Sequence, residues 1–199
     1  SLSKEIVKDL ILVGIVAMKD PPRPEVKEAI YKARQAGIRV IMNTGDHKET
    51  AIAIAKEIGL IRKGEKSIAL SQEELEELND AEFKEAVRNV NIFARVTSQM
   101  KLRIVTDLHL QGNIVAVTGD GVNDAPALKK ADIGISMGII GTDVARESSE
   151  VVLTDDNFAS IVNAIEEGRI VFRNVKSTST YLVTTNAAEH LTILFSLLL

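Results

Sequence analysis

Two short loops carry residue types that handle metal and phosphate. Thr118-Gly119-Asp120-Gly121-Val122-Asn123-Asp124-Ala125-Pro126 directly follows the apolar run Ile114-Val115-Ala116-Val117. It sets two carboxylates one helical turn apart, with two glycines beside them. Hard oxygen ligands suit Mg2+, and backbone N–H groups exposed at a strand end suit a phosphate. A helix cap alone would account for Asn123 and Pro126, but not for Gly119 and Gly121 beside two acids. Thr44-Gly45-Asp46 repeats the pattern after a second apolar run, Ile38-Arg39-Val40-Ile41-Met42. Its hydroxyl and N–H can donate to a phosphoryl oxygen; the plain alternative is a turn glycine followed by a helix cap. Lys101, near the start of a helical pattern, reads by itself as one more solvated lysine. No apolar run ends in an aspartate placed to be phosphorylated. Half of a phosphoryl-transfer site is visible, and its nucleophile is not.

The elements that must hold these loops alternate. Leu10 to Val16 reads as a strand, broken by Asp20-Pro21-Pro22-Arg23-Pro24. Glu25 to Gln35 has helical spacing at Val26, Ala29, Ile30 and Ala33, and Gly37 stops it. The strand Ile38 to Met42 leads through Thr44-Gly45-Asp46 into a helix over Lys48 to Ile58, ended by Gly59. Ser71 and Glu74 form a capping-box pattern for another helix. Asn91 to Arg95 reads as a strand, Gln99 to Leu110 as a helix and Asn113 to Val117 as a strand. Asp124 to Lys130 is a short helix, and Ile133 to Ile135 and Val151 to Leu153 are strands before a helix over Ala159 to Glu167. Short strand–helix steps of this kind predict an α/β fold, with a parallel sheet covered by helices.

Composition narrows the function. A chain of 199 residues with formal charge -4 offers no basic surface for nucleic acid. The acidic stretch from Glu73 to Glu85 is a solvated helical face. There is no cysteine, hence no disulfide, thiolate metal site or thiol nucleophile. From Tyr181 to Leu199 there is no Lys, Arg or Asp, and Arg169, Arg173 and Lys176 precede this tail as at a cytoplasmic membrane boundary. Slightly under the ~20 residues needed to cross a bilayer, the tail reads as a truncated transmembrane helix. Asn186 and Glu189 share one of its faces, and an intramembrane carboxylate faces a partner or an ion. The alternative is a non-spanning amphipathic helix with Glu189 and His190 at its surface.

Asp20-Pro21-Pro22-Arg23, Thr44-Gly45-Asp46, Ala94-Arg95-Val96-Thr97, Thr118 to Pro126 and Gly141-Thr142-Asp143-Val144-Ala145 occur in an order that resembles the phosphorylation domain of P-type cation-transporting ATPases. Lys129 to Gly138 and Asp155-Asp156-Asn157-Phe158 agree, and the calcium-pump-like branch is the most similar. The resemblance covers almost the whole chain. It implies a haloacid-dehalogenase-like, Rossmann-like doubly wound sheet over residues 1–168, a stalk helix over 169–180 and a truncated transmembrane helix over 181–199. It implies Mg2+ and ATP as cofactors, with Asp120 as the Mg2+ ligand and Asp124, with Asn123, orienting metal and phosphoryl group. By the same likeness Thr44 and Gly45 donate to an aspartyl phosphate, Asp46 contacts nucleotide or aligns the domain, and Lys101 neutralises phosphoryl oxygens. Asn186 and Glu189 fall on the family's cation site, with Ca2+ as the expected cargo. The implied partners are the nucleotide-binding, actuator and remaining transmembrane parts of the same pump, with lipid around the tail. The implied location is a multi-pass membrane protein with residues 1–180 on the cytoplasmic side.

The departures are specific. The family's Asp-Lys-Thr-Gly-Thr motif, which supplies the phosphorylated aspartate, is absent, so the chain by itself is expected to be inactive. Asn43 stands at a position that is usually aliphatic, Ser98 replaces a proline and could cap a helix, and Met100 replaces a polar residue. Two other readings stay open: a phosphatase or phosphotransferase of the same superfamily, and a truncated non-catalytic domain that binds Mg2+ or a partner.

Overall fold

The computed structural model describes residues 11–14, 16, 21–62, 64 and 68–198. Six strands form two parallel three-stranded sheets among the described residues. In the first, β1 (Met42–Asn43) and β2 (Ala69–Ser71) flank β3 (Ile92–Ala94), with Met42 and Ala69 both level with Ile92. In the second, β5 (Ile133–Met137) lies between β4 (Ala116–Gly119) and β6 (Val151–Leu153), with Thr118 level with Ile135. The parallel α/β architecture is as expected, but it is divided into two sheets rather than continuous.

Strand β3 explains the layers. Its three residues are fully buried, and alternate side chains point to opposite faces. Phe93 joins a cluster with Leu75, Phe83, Val87, Ile104 and Val105. These come from α3 (Gln72–Glu76), α4 (Asp80–Asn89) and α5 (Ser98–Leu110). Ile92 and Ala94 face the other way, onto Ile30 of α1 (Glu25–Gln35) and onto Ala51 and Ala55 of α2 (Lys48–Glu57). A parallel sheet is stable only with both faces covered, and here each face has its own helices.

The helix ends follow the sequence closely. Ser71 Oγ accepts from Glu74 N–H while the Glu74 carboxylate accepts from Ser71 N–H, the expected capping box. Asn79 and Glu82 make a second box at the start of α4. Thr97, rather than Ser98, caps α5 through Met100 N–H.

Several strands differ from expectation. Ile38 to Ile41 are not in a strand; Ile38 N–H closes α1 onto the Ala33 carbonyl, and Gly37 takes the left-handed turn. Strand β4 starts at Ala116, not Asn113, because Asn113 N–H goes back to the Leu108 carbonyl that ends α5. Strand β2 was not anticipated, since three residues are too short for periodicity. Of the Leu10 to Val16 run, residues 11–14 and 16 are exposed and outside any strand. Leu10, Ile15 and Asp20 lie outside the described residues.

The residues expected as stalk and truncated transmembrane helix belong to one element. From Phe158 to Leu198 the chain is one unbroken helix, α8, with no change at the expected stalk boundary. Its first turns are packed: Val162 lies against Ala29 and Ala33 of α1, and Ile161 against Ile135 and Leu153 of the second sheet. Arg169 donates to the Ala36 carbonyl, and beyond it the helix is almost wholly exposed. Among the described residues no helix is long and apolar enough to cross a membrane. Thr184, Thr185, Asn186, Glu189, His190 and Thr192 interrupt the apolar run, and charged and amide groups cost most at a bilayer centre.

Asp132, just before β5, fastens the second sheet to α5. Its Oδ2 accepts from Val115 N–H at 2.8 Å and lies 2.9 Å from His109 Nε2. The Val115 N–H, with His109, holds its carboxyl below the usual range, against the opposing effect of burial. A carboxyl depressed in the folded state stabilises above its unfolded pKa of about 4, and loses that contribution as pH falls through the folded value. Urea midpoints between about pH 6 and about pH 3 should therefore fall more steeply for the native chain than for Asp132→Asn. In the core, Phe93→Ala should cost about 3–5 kcal/mol in the same unfolding assay.

Candidate functional site

The site is built at the carboxyl ends of β1 and β4. After β4 the chain makes a single 3-10 turn, Val122–Asp124, and enters α6 (Ala125–Lys130) with Pro126 in its first turn. Asp124 folds back across this loop. Its Oδ2 accepts from Asp120 N–H at 3.3 Å and Gly121 N–H at 3.2 Å, and its Oδ1 receives Lys101 Nζ at 2.6 Å. Both members of this ion pair are largely buried, at 17% and 14% side-chain exposure, which rules out the solvated reading of Lys101. Gly119 is required by space: a Cβ there would lie 2.4 Å from Asp124 Cβ. Asp120 is exposed at the tip, and its carbonyl accepts from Thr142 N–H at 2.8 Å.

Across the cleft, the loop after β1 is tied to the exit of β3. Thr44 N–H donates to the Phe93 carbonyl, Val96 N–H to the Thr44 carbonyl, and Arg95 N–H to the Asp46 carbonyl. Thr44 Oγ1 accepts from Asp46 N–H at 3.1 Å, so the hydroxyl keeps its proton for another acceptor. Arg95 adopts φ 54°, a left-handed backbone that turns the chain from β3 toward α5. Thr97 N–H then donates to Gln72 Oε1 at 2.7 Å, anchoring the start of the helix that carries Lys101.

Thr44, Gly45, Lys101, Asp120 and Asp124 all line one cleft of about 480 Å³ between the two sheets. Apolar side chains, among them Ile30, Leu60 and Phe158, form its other walls. Asn43 also lines it, and its Oδ1 is buried with no hydrogen-bond partner among the described residues. Two expected residues lie apart. Asn123 borders an adjoining groove with Gly45, Gln72, Glu73, Arg95 and Thr97, and Asp46 lines neither. Asn186 and Glu189 lie on α8, about 40 Å along the helix from its start at 1.5 Å per residue. Glu189 sits in a shallow groove with Thr185, Ala188, Thr192 and Ile193.

No group of three or more carboxylates or imidazoles gathers as a metal cluster among the described residues. The donor set still fits Mg2+, which keeps several waters and takes one or two protein carboxylates besides phosphate oxygens. Asp120 is the carboxylate without an ion pair in this set, while Asp124 is held by Lys101 and two N–H groups. The two acids are therefore differently placed: one is presented to solvent, and one organises the loop. Sequence reasoning missed Gln72 and Thr142 as supports of the site.

The comparisons with known proteins bear on this arrangement. The model of the haloacid dehalogenase-like hydrolase family matches residues 2–132. A calcium-transporting ATPase of Bacillus subtilis (strain 168) is 52% identical over 192 residues, 96% of this chain and 21% of its own length. Calcium-transporting ATPase 1 of Bacillus cereus (strain ATCC 10987 / NRS 248) is 49% identical over the same shares of both chains. The crystal structure of a zinc-transporting PIB-type ATPase aligns with TM-score 0.59 and 31% identity, over 78% of this chain and 20% of that one. The chain thus spans about a fifth of the length of these relatives.

A double-mutant cycle on Lys101→Met and Asp124→Asn tests the division of labour. Each single change should cost about 1.5–3 kcal/mol in urea unfolding, the range for a hydrogen bond to a charged group. The double variant should cost less than the sum, since neither charge is then left unpaired.

Proposed function

The chain belongs to the haloacid dehalogenase-like hydrolase family and is homologous to cation-transporting ATPases, and from that premise we propose that it is the phosphorylation-domain portion of an ATP-driven cation pump. The observation that carries this reading is the convergence of Thr44, Gly45, Lys101, Asp120 and Asp124 on one cleft. Two oppositely placed loops there present donors and a free carboxylate, and α5 presents a cation, the set that phosphoryl transfer uses for positioning and charge neutralisation.

In this reading Asp120 holds Mg2+ and Asp124, with Asn123 at the rim, keeps the loop in shape around it. Bound Mg2+ would supply charge neutralisation for phosphoryl oxygens. Thr44 Oγ1 and Gly45 N–H donate to the same oxygens, and Lys101, steered by Asp124, adds a second positive charge. Asp46 contacts the nucleotide or the domain that carries it. The phosphorylated aspartate comes from another part of the parent protein, on an extended segment entering the gap between the sheets. The parted sheets and the partnerless acceptor of Asn43 support such an occupant. ATP binding, actuator and membrane functions belong to the rest of that protein. In the parent protein, residues 169–180 of α8 would be the cytoplasmic stalk and residues 181–199 the start of a membrane segment, with Asn186 and Glu189 as oxygen ligands for the cargo. Ca2+, which prefers six to eight oxygens, is the proposed cargo.

The test is acid-quenched incorporation of label from ATP. The parent pump should form an acid-stable phosphoenzyme, and Lys101→Ala should slow its formation by ~10²–10³. Glu189→Gln should weaken its cation dependence while leaving the ATP site intact. The 199-residue chain alone should incorporate no label. Acid-stable label on that chain, or release of phosphate from small phosphoesters by it, would replace the pump reading with that of a self-sufficient phosphotransferase or phosphatase.

A further inference from the structure

Asp156 is the one aspartate among the buried described residues, at 4% exposure, and it takes no part in the cleft described above. Its backbone is left-handed, φ 51°, in the turn between β6 and α8. A non-glycine residue holds that conformation only where its surroundings enforce it. Here they do so from both sides. Asp156 N–H reaches the Leu153 carbonyl, and the Arg23 guanidinium donates to the Asp156 carbonyl. The carboxylate points into the loop that follows β5: Oδ1 accepts from Ile139 N–H at 3.0 Å and Oδ2 from Ile140 N–H at 2.9 Å. Both oxygens are used, on consecutive backbone donors.

That loop has little freedom left. Gly138 N–H donates to the Leu153 carbonyl, and Arg146, from α7 (Asp143–Glu147), donates to the carbonyls of Gly138 and Gly141. Gly141 packs so tightly that a Cβ would fall 1.9 Å from the Met137 carbonyl oxygen. The last residue of the loop, Thr142, sends its N–H to the Asp120 carbonyl at 2.8 Å. A continuous run of hydrogen bonds and short backbone therefore leads from Asp156 to Asp120. Asp124 restrains the Asp120 N–H on the other side.

We propose that Asp156 is a positioning residue: its carboxylate sets the 138–142 loop, whose Thr142 N–H fixes the Asp120 backbone and so aims the Asp120 carboxylate into the cleft. The metal role of Asp120 rests on the reading given under Proposed function; the link from Asp156 to the Asp120 backbone does not. Burial pushes the Asp156 carboxyl up, but the N–H groups of Ile139, Ile140 and Gly138, with Arg23, outweigh it and hold the group below the usual range. The residue is thus an anion at neutral pH, an acceptor at both oxygens. An amide of the same size has one acceptor oxygen and would turn N–H against N–H at the other position.

The experiment uses the 199-residue chain, with amide hydrogen exchange and a Mg2+ titration followed at the Asp120 amide resonance. Asp156→Asn should speed exchange at Ile139, Ile140 and Thr142 by about tenfold or more, and raise the Mg2+ midpoint by about tenfold, each being ~1.4 kcal/mol. Val162→Ala, which opens the packing at the root of α8, should lower global stability and leave both readouts in place. If Asp156→Asn proves unfolded, Thr142→Pro serves instead. Thr142 has φ −70°, which proline can adopt; proline removes the N–H together with the Oγ1 cap on Ala145 N–H, and the Mg2+ midpoint should rise in the same way. Unchanged Thr142 exchange in Asp156→Asn overturns the inference. So does faster exchange with an unmoved Mg2+ midpoint, or an equal shift in Val162→Ala. A native chain whose Asp120 resonance ignores Mg2+ sinks the metal reading instead. The Thr142 exchange and the Asp120 amide's own exchange then decide whether Asp156 holds that backbone.

Discussion

The strands within each sheet run parallel, and the site depends on that constraint. Parallel strands need crossover connections, so the loops that follow the strands gather at the carboxyl ends. Thr44 follows β1 and Asp120 follows β4 for this reason, although 76 positions separate them in the chain. The Lys101–Asp124 pair then fixes the relation between the two loops. Lys101 belongs to α5, which packs beneath β3 through Ile104 and Val105, while Asp124 belongs to the loop of the second sheet. One contact of 2.6 Å joins the halves at the point where the chemistry is proposed to occur.

Helices were the most legible part of the sequence. Glu25 to Gln35 is found as read, because apolar spacing and Gly37 agree on its extent. The Ser71–Glu74 capping box is found because its two hydrogen bonds need only local geometry. Strands were legible as apolar runs but not as strands of given length. Whether Ile38 to Ile41 pair is decided by partners elsewhere in the chain, and Ala69 to Ser71 joins the sheet by virtue of β3 alone. The split between sheets was likewise invisible to periodicity.

The site shows the same boundary between local and distant information. Glycines beside acids marked the Asp120 loop, and Gly119 is explained by the space that Asp124 occupies. Lys101 could not be recognised from its own neighbourhood, since helical lysines are common and its partner lies 23 positions later. Asp46 and Asn123 were grouped with the cleft because they belong to its motifs. The fold places Asn123 in the adjoining groove and leaves Asp46 outside both, because adjacency in sequence does not amount to adjacency in space. In the tail, six polar residues within nine positions dilute the apolar run, and among the described residues no helix is long and apolar enough to cross a membrane.

The two carboxylates of the loop differ in what their surroundings allow. Asp124 commits its charge to Lys101 and its second oxygen to two N–H groups, which gives the loop one shape and leaves little ligand capacity. Asp120 has its backbone restrained at both ends, by Asp124 at its N–H and Thr142 at its carbonyl, while its side chain remains exposed. A fixed backbone beneath an exposed carboxylate suits a ligand that must meet a hard cation without a large ordering cost. The proposed phosphoryl chemistry would add a further demand, because charge would have to be neutralised at both loops at once. Lys101 would meet that demand from the middle. Its partner Asp124 steers it toward the cleft, and the same pair ties the helix beneath one sheet to the loop of the other. Stability and the proposed chemistry would thus draw on one ion pair, set where the two sheets face each other.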